Sequence, residues 1–276
     1  MKKSIYFFLF IFFIWFEIYA QDQVGYSESE FTESSERRDW RFKFTPYAWL
    51  AGQSTDVNDE RIRQSFNDLT SLTNFGMQLA GTVYYKKWFV SSNFTYAKLG
   101  DSNKEDFISY NLNIDQIILD NKIGYILIDH LNYDNNEIID GWAMEVAIGA
   151  IYWVNDVTFK FEIPLGDILP PIQEKLNEYQ SWWDPVIGTN FRLILSPTVL
   201  LSLSSNVGGF GLGNASDLYY DISYLNTFKV SKLLTVTAGY KTFKYKRIEG
   251  SGEERIKTNV TAFGPLLGVT MNFWSP

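Results

Sequence analysis

Three features of the sequence predict an all-β protein, a single antiparallel transmembrane β-barrel of about ten strands, with eight or twelve as the alternatives. Segments of period-2 alternation recur from Trp40 almost to the C-terminus. The connections between them are short and long in turn. Aromatic residues make up 17% of the chain, including 17 Tyr and 9 Trp, and many lie near segment ends.

The N-terminus reads as an export signal. Lys2 and Lys3 precede an apolar run from Ile5 to Phe16, and Ile18-Tyr19-Ala20 offers a cleavage site before Gln21. A spanning helix needs about 20 apolar residues, more than this run supplies. Residues 1–20 are therefore assigned to a signal peptide. Residues 21–39, rich in Ser and Glu, are assigned to a flexible periplasmic segment. Residues 40–276 form the barrel.

Ten alternating segments lie near 40–50, 75–86, 88–98, 109–128, 142–153, 184–195, 198–209, 217–228, 232–246 and 257–273. In the third, Val90, Phe94 and Tyr96 oppose Ser91, Asn93 and Thr95. In the last, Phe263, Leu267, Val269, Met271 and Phe273 oppose Gly264, Gly268, Thr270 and Asn272. Alternation alone suits a sandwich as well as a barrel; spans of ten or so residues favour a tilted membrane strand. Short connections fall at Lys86-Lys87, Ser196-Pro197 and 229–231, with 129–141 as one overlong inner turn. Long ones fall at 51–74, 99–108, 154–183, 210–216 and 247–256. Outer-membrane barrels have short periplasmic turns and long outer loops, so both termini are placed in the periplasm. Trp40, Trp49, Tyr84, Tyr85, Trp88, Trp142, Trp153, Trp182, Trp183, Tyr219 and Tyr220 read as two aromatic girdles.

Five motifs, PYAWLAG (46–52), WDPVIG (183–188), NVGGFG (206–211), GYK (239–241) and GPLLGV (264–269), resemble those of a widespread family of Gram-negative outer-membrane barrels. The resemblance implies the barrel fold and an outer-membrane location, and brings no established ligand or activity. The family often has Asp before the double Gly and Arg after Gly-Tyr; here Asn206 and Lys241 stand there. Its chains usually end on an aromatic residue, whereas Phe273 is followed by Trp274, Ser275 and Pro276.

The polar faces place Arg41, Lys43, Glu145, Arg192, Asp221 and Lys241 in the lumen, together with Gln78 and Asn190. They form either a pore lining or a set of ion pairs that fills a narrow barrel. Hence two functions are expected: a narrow pore for small solutes or apolar ligands, or a structural or surface-interaction barrel plugged by its own side chains. No enzyme activity, cofactor or metal is expected, because the chain has no Cys and one His, His130, read as a solvated turn residue. Gly208–Gly213 reads as a tight turn or bulge, since no helix follows to make a phosphate site. In loop 154–183, Ile172, Leu176 and Tyr179 recur at helical spacing, which suits either a short amphipathic helix folding over the mouth or into the lumen, as a gate or ligand lid, or a surface loop packing on its neighbours. The expected partners are outer-membrane lipids, lipopolysaccharide and the barrel-assembly machinery. A net charge of −8 excludes nucleic acid.

Overall fold

The structure, a computed structural model, describes residues 40–57, 60–64, 73–104, 109–134, 137–163, 172–231, 233–250 and 255–274. The signal peptide and the 21–39 segment lie outside the described residues. Twelve strands follow in order: β1 (Trp40–Trp49), β2 (Gly52–Val57), β3 (Glu60–Gln64), β4 (Thr73–Tyr85), β5 (Trp88–Lys104), β6 (Ser109–Asp134), β7 (Glu137–Ile163), β8 (Ile172–Ser196), β9 (Val199–Gly208), β10 (Leu218–Lys229), β11 (Leu234–Glu249) and β12 (Ile256–Trp274).

Ten of them, β1 and β4 to β12, form an antiparallel ring in chain order that closes through β1 on β12. β2 continues β1 along the far half of β12, and β3 adds to β2 outside the ring. The expected segments all appear as strands, and the barrel of ten is the architecture predicted.

Several strands run longer than alternation suggested. β6, β7 and β8 span 26, 27 and 25 residues. Much of the expected 154–183 loop is therefore a ladder that pairs β7 with β8 up to Ile163 opposite Ile172. The amphipathic helix expected after Pro171 is not formed. Leu176 lies opposite Phe159 and Tyr179 opposite Asp156, so residues 172–179 pair with residues 156–163, a stretch holding the β-branched and aromatic Val157, Thr158, Phe159 and Phe161. Cross-strand hydrogen bonds here override the helical spacing. The overlong inner turn at 129–141 is likewise mostly strand, as β6 runs to Asp134 and β7 starts at Glu137. A register shift between Ile126 and Ile128 leaves Leu127 unpaired and exposed, which hid the continuing alternation.

The ladder registers fix which side chains face inward. Outward positions along β5 (88–96), β7 (142–154), β8 (183–195), β10 (218–228), β11 (234–242) and β12 (263–273) carry no Asp, Glu, Lys or Arg. The same holds for the outward rows of β1, β4 and β9 and for that of β6 from Ile117 to Tyr125; Asp115 and Lys98, farther along β6 and β5, pair with each other beyond this band. Ile148, on the outward row of β7, is 62% exposed. A continuous apolar band thus surrounds the ring, and the buried side chains cluster in the lumen.

Phe89 of β5 lies opposite Gly124 of β6, and its ring covers the glycine. A Cβ at position 124 would collide with that ring and approach the Val146 carbonyl oxygen to 2.7 Å. Gly124→Ala is expected to destabilise the folded barrel by about 1–3 kcal/mol through overpacking. Urea unfolding in detergent micelles reads this, and unchanged stability would show that Phe89 moves aside freely.

Candidate functional site

The candidate site is the lumen, built in three layers. At the end of the short turns, Glu145 of β7 sits directly across from Asn190 of β8. Asn190 Nδ2 donates to Glu145 Oε2 at 2.8 Å, and Arg192 Nη2 meets Glu145 Oε1 at 2.9 Å. Ala143, opposite Arg192, is small enough to let the guanidinium reach along the strand. On β1 the Arg41 guanidinium lies 4.8 Å and the Lys43 ammonium 5.8 Å from the centre of the Tyr84 ring. Tyr84 packs on Phe89, with Ile126 and Ala147 completing the floor.

The middle layer is a carboxylate network. Asn206 donates its amide to both oxygens of Asp221, at 2.8 and 2.9 Å, and the Tyr219 hydroxyl donates to the same group. Lys122 pairs with Asp120. The Lys241 ammonium stands 5.5 Å from the Trp49 ring centre.

The upper layer is aromatic. Trp153 (β7) stacks on Trp182 (β8) at 5.7 Å and meets Phe243 and Tyr245 (β11) at 5.7 and 5.3 Å. Tyr219 (β10) reaches Trp153 edge-on, and Trp49 (β1) reaches Phe243. β7 and β11 stand four places apart in a ring of ten, so these contacts cross the lumen. Trp153 is 1% exposed and Trp182 3%. Above them, Arg247 stacks on Trp182 at 4.1 Å and pairs with Glu249 at 2.7 Å.

A latch holds this end. Asp184, 0% exposed, accepts from Ser216 N (2.6 Å), Ser216 Oγ (2.8 Å) and Trp182 Nε1 (3.2 Å). It thereby ties the β9–β10 connection to the wall. That connection is the glycine-rich turn expected from sequence: Gly209 has φ +82°, and a Cβ there would strike the Ser216 carbonyl.

All six predicted lumen residues face inward by register. The structure joins Arg192 to Glu145 but distributes the others: Asp221 to Asn206 and Tyr219, Lys241 to Trp49, Arg41 and Lys43 to Tyr84. The girdle expectation needs correction for Tyr84, Trp182 and Tyr219, which are buried inside while Tyr85, Trp183 and Tyr220 are exposed. Trp153 and Trp49 also belong to the lumen. The doublets carried the signal, because adjacent residues of one strand must point to opposite faces. His130 is not in a turn; it lies in β6 opposite Trp142, with ring centres 4.9 Å apart. Asp184, Asp120, Lys122 and Arg247 were not singled out in the sequence.

No protein-family model and no curated protein matches the chain. Among solved structures, the outer membrane protease OmpT from Escherichia coli is similar at 10% identity and a TM-score of 0.52, covering 87% of this chain and 99% of that chain. The translocator domain of the autotransporter NalP from Neisseria meningitidis aligns at 11% identity and a TM-score of 0.44, covering 85% and 88%. At such identities the likeness to OmpT is one of fold.

Removing one member of the Glu145–Arg192 pair strands the other inside the barrel. Arg192→Ala is expected to cost about 3–5 kcal/mol in unfolding free energy, and adding Glu145→Gln should restore part of it. Additive losses in this double-mutant cycle would show that the two side chains do not interact.

Proposed function

We propose that the chain is an outer-membrane β-barrel protein with an occluded lumen, a structural or surface-interaction barrel in preference to an open pore for small solutes or apolar ligands. The observation that carries this reading is the contrast between the two faces. Every ionised side chain at the level of the apolar band turns inward, and no outward position there is charged. In water such a distribution would leave a broad apolar belt exposed; in a bilayer it is the arrangement of lowest free energy. The motif resemblance to Gram-negative outer-membrane barrels supports the same location. Short turns at one end and longer connections at the other support periplasmic termini.

Occlusion is supported by the rings that meet across the lumen between β7, β8, β10 and β11. A ten-stranded barrel is little wider than one that side chains fill completely, and five large rings occupy the space a water path would need. The likeness to a protease concerns fold alone, and the reading assigns no catalytic residue.

Two measurements test it. Ile148→Arg, in the middle of the apolar band, should cost about 2–4 kcal/mol in lipid vesicles. A change within about 0.5 kcal/mol, typical of a solvated surface site, would sink the membrane reading. In planar bilayers the unaltered protein should pass no steady current, whereas Trp153→Ala with Trp182→Ala should open a conductance. Steady current through the unaltered protein would return the reading to a solute pore.

A further inference from the structure

The outward rows of β11 and β12 change character together. On β11 the uncharged row ends at Thr242 and Lys244 and Lys246 follow. On β12, above Phe263, come Thr261, Asn259 and Lys257. The register sets Lys246 opposite Asn259 and Lys257 opposite Ile248, so the lysines are neighbours on one outer surface. β3 extends that sheet, its register placing Arg61 opposite Asp56 and Arg63 opposite Ser54. Lys246 and Lys257 are exposed, and Lys244 is partly buried beside Tyr220.

A chain of net charge −8 therefore gathers basic residues at one rim of its apolar band. Among the described residues, Asp56 is the single carboxylate on the outward rows of β2, β11 and β12. Glu249 turns away, to Arg247 and Gln180. Tyr220 and Leu218 on β10 border the patch with rings and methyls suited to the top of an acyl layer. Long lysine stems can lie along that apolar surface while their ammonium groups reach the headgroup level.

We propose that this rim docks the phosphate groups of an outer-leaflet glycolipid, the phosphorylated lipid of lipopolysaccharide. Lys244, Lys246 and Lys257 hold the phosphates, and the rows below receive acyl chains. The proposal rests on the membrane reading above and names a lipid partner for it.

The full-length protein, folded into neutral phosphatidylcholine nanodiscs, is titrated with bisphosphorylated lipid A and with its dephosphorylated form. Binding is read by native mass spectrometry. Each lysine near an anionic lipid surface strengthens binding about five-fold, so Lys244→Gln, Lys246→Gln and Lys257→Gln together should weaken it on the order of 100-fold. Lys86→Gln with Lys87→Gln, at the opposite end, should change nothing. Equal binding of the dephosphorylated lipid, or undiminished binding by the triple variant, overturns the site. Where the triple variant fails to insert, Lys246→Gln alone decides: about five-fold weaker binding supports the site and equal binding overturns it. Heat-modifiable gel mobility of the same samples separates the two readings. An unaltered protein that does not insert sinks the barrel-in-membrane reading, and insertion without phosphate-dependent binding sinks only the lipid site.

Discussion

The closing ladder between β1 and β12 is the constraint on which the rest of the structure depends. It runs from Arg41 opposite Trp274 to Trp49 opposite Leu266 and continues through Leu50 N donating to Pro265 O at 2.9 Å. Without it both strands would be open edges with unpaired N–H and C=O groups, which neither a bilayer nor a soluble monomer tolerates well. With it, alternation becomes a division between inside and outside. Arg41 and Lys43 then must face the lumen, and Phe42 and Phe44 must face out. The sequence motifs sit on such joins. PYAWLAG faces GPLLGV across the closing ladder, and GYK faces GPLLGV on its other side. WDPVIG faces NVGGFG across β8 and β9. They are the places where two strands must fit closely, and a fit of that kind is a demand of fold with no chemistry attached.

Filling the lumen poses a different problem in each half. Near the short turns the charges have partners within reach of one strand pair, as Glu145 has in Asn190 and Arg192. Farther up, Asp184 and Asp221 are buried beside the rings, so each needs a full set of donors to offset its desolvation. Asp184 has three, and Asp221 has the Asn206 amide and the Tyr219 hydroxyl. Arg247 lies flat on Trp182, where the ring face and Glu249 together hold its charge at the mouth.

Much of this was legible in the sequence, for stated reasons. Strand positions and the inward facing of the six charges follow from period-2 alternation, which is local. Strand lengths do not, because residues 172–179 carry a helical pattern and become strand only through pairing with residues 156–163. The bulge at Leu127 broke the alternation at one residue and so disguised the end of β6. Which charges meet is likewise non-local: Arg192 reaches Glu145 only once β7 is set against β8, and Asn206 reaches Asp221 only once β9 is set against β10. The aromatic layer was missed by assigning Trp49, Trp153, Trp182 and Tyr219 to girdles. In Trp182-Trp183 and Tyr219-Tyr220 alternation already required one ring of each pair inside.

One ring of the aromatic layer and the end of the ladder are held by the same group. β9 stops at Gly208, opposite Val186, while β8 continues upward along β7 alone among the described residues. At that step β8 would lose its partner on one side. The chain answers by turning sharply at Gly209, whose N–H donates to Pro185 O at 3.0 Å, and by returning Ser216 to the Asp184 carboxylate. Asp184 also accepts from the Trp182 indole N–H, so the residue that finishes the β8–β9 edge also orients a ring of the aromatic layer. The same indole N–H also lies 3.2 Å from Ser216 Oγ, so ring, carboxylate and loop share one set of hydrogen bonds. The aromatic layer and the hydrogen-bond network therefore meet at one carboxylate: a motion that withdrew the Trp182 ring would break its bonds to Asp184 and Ser216.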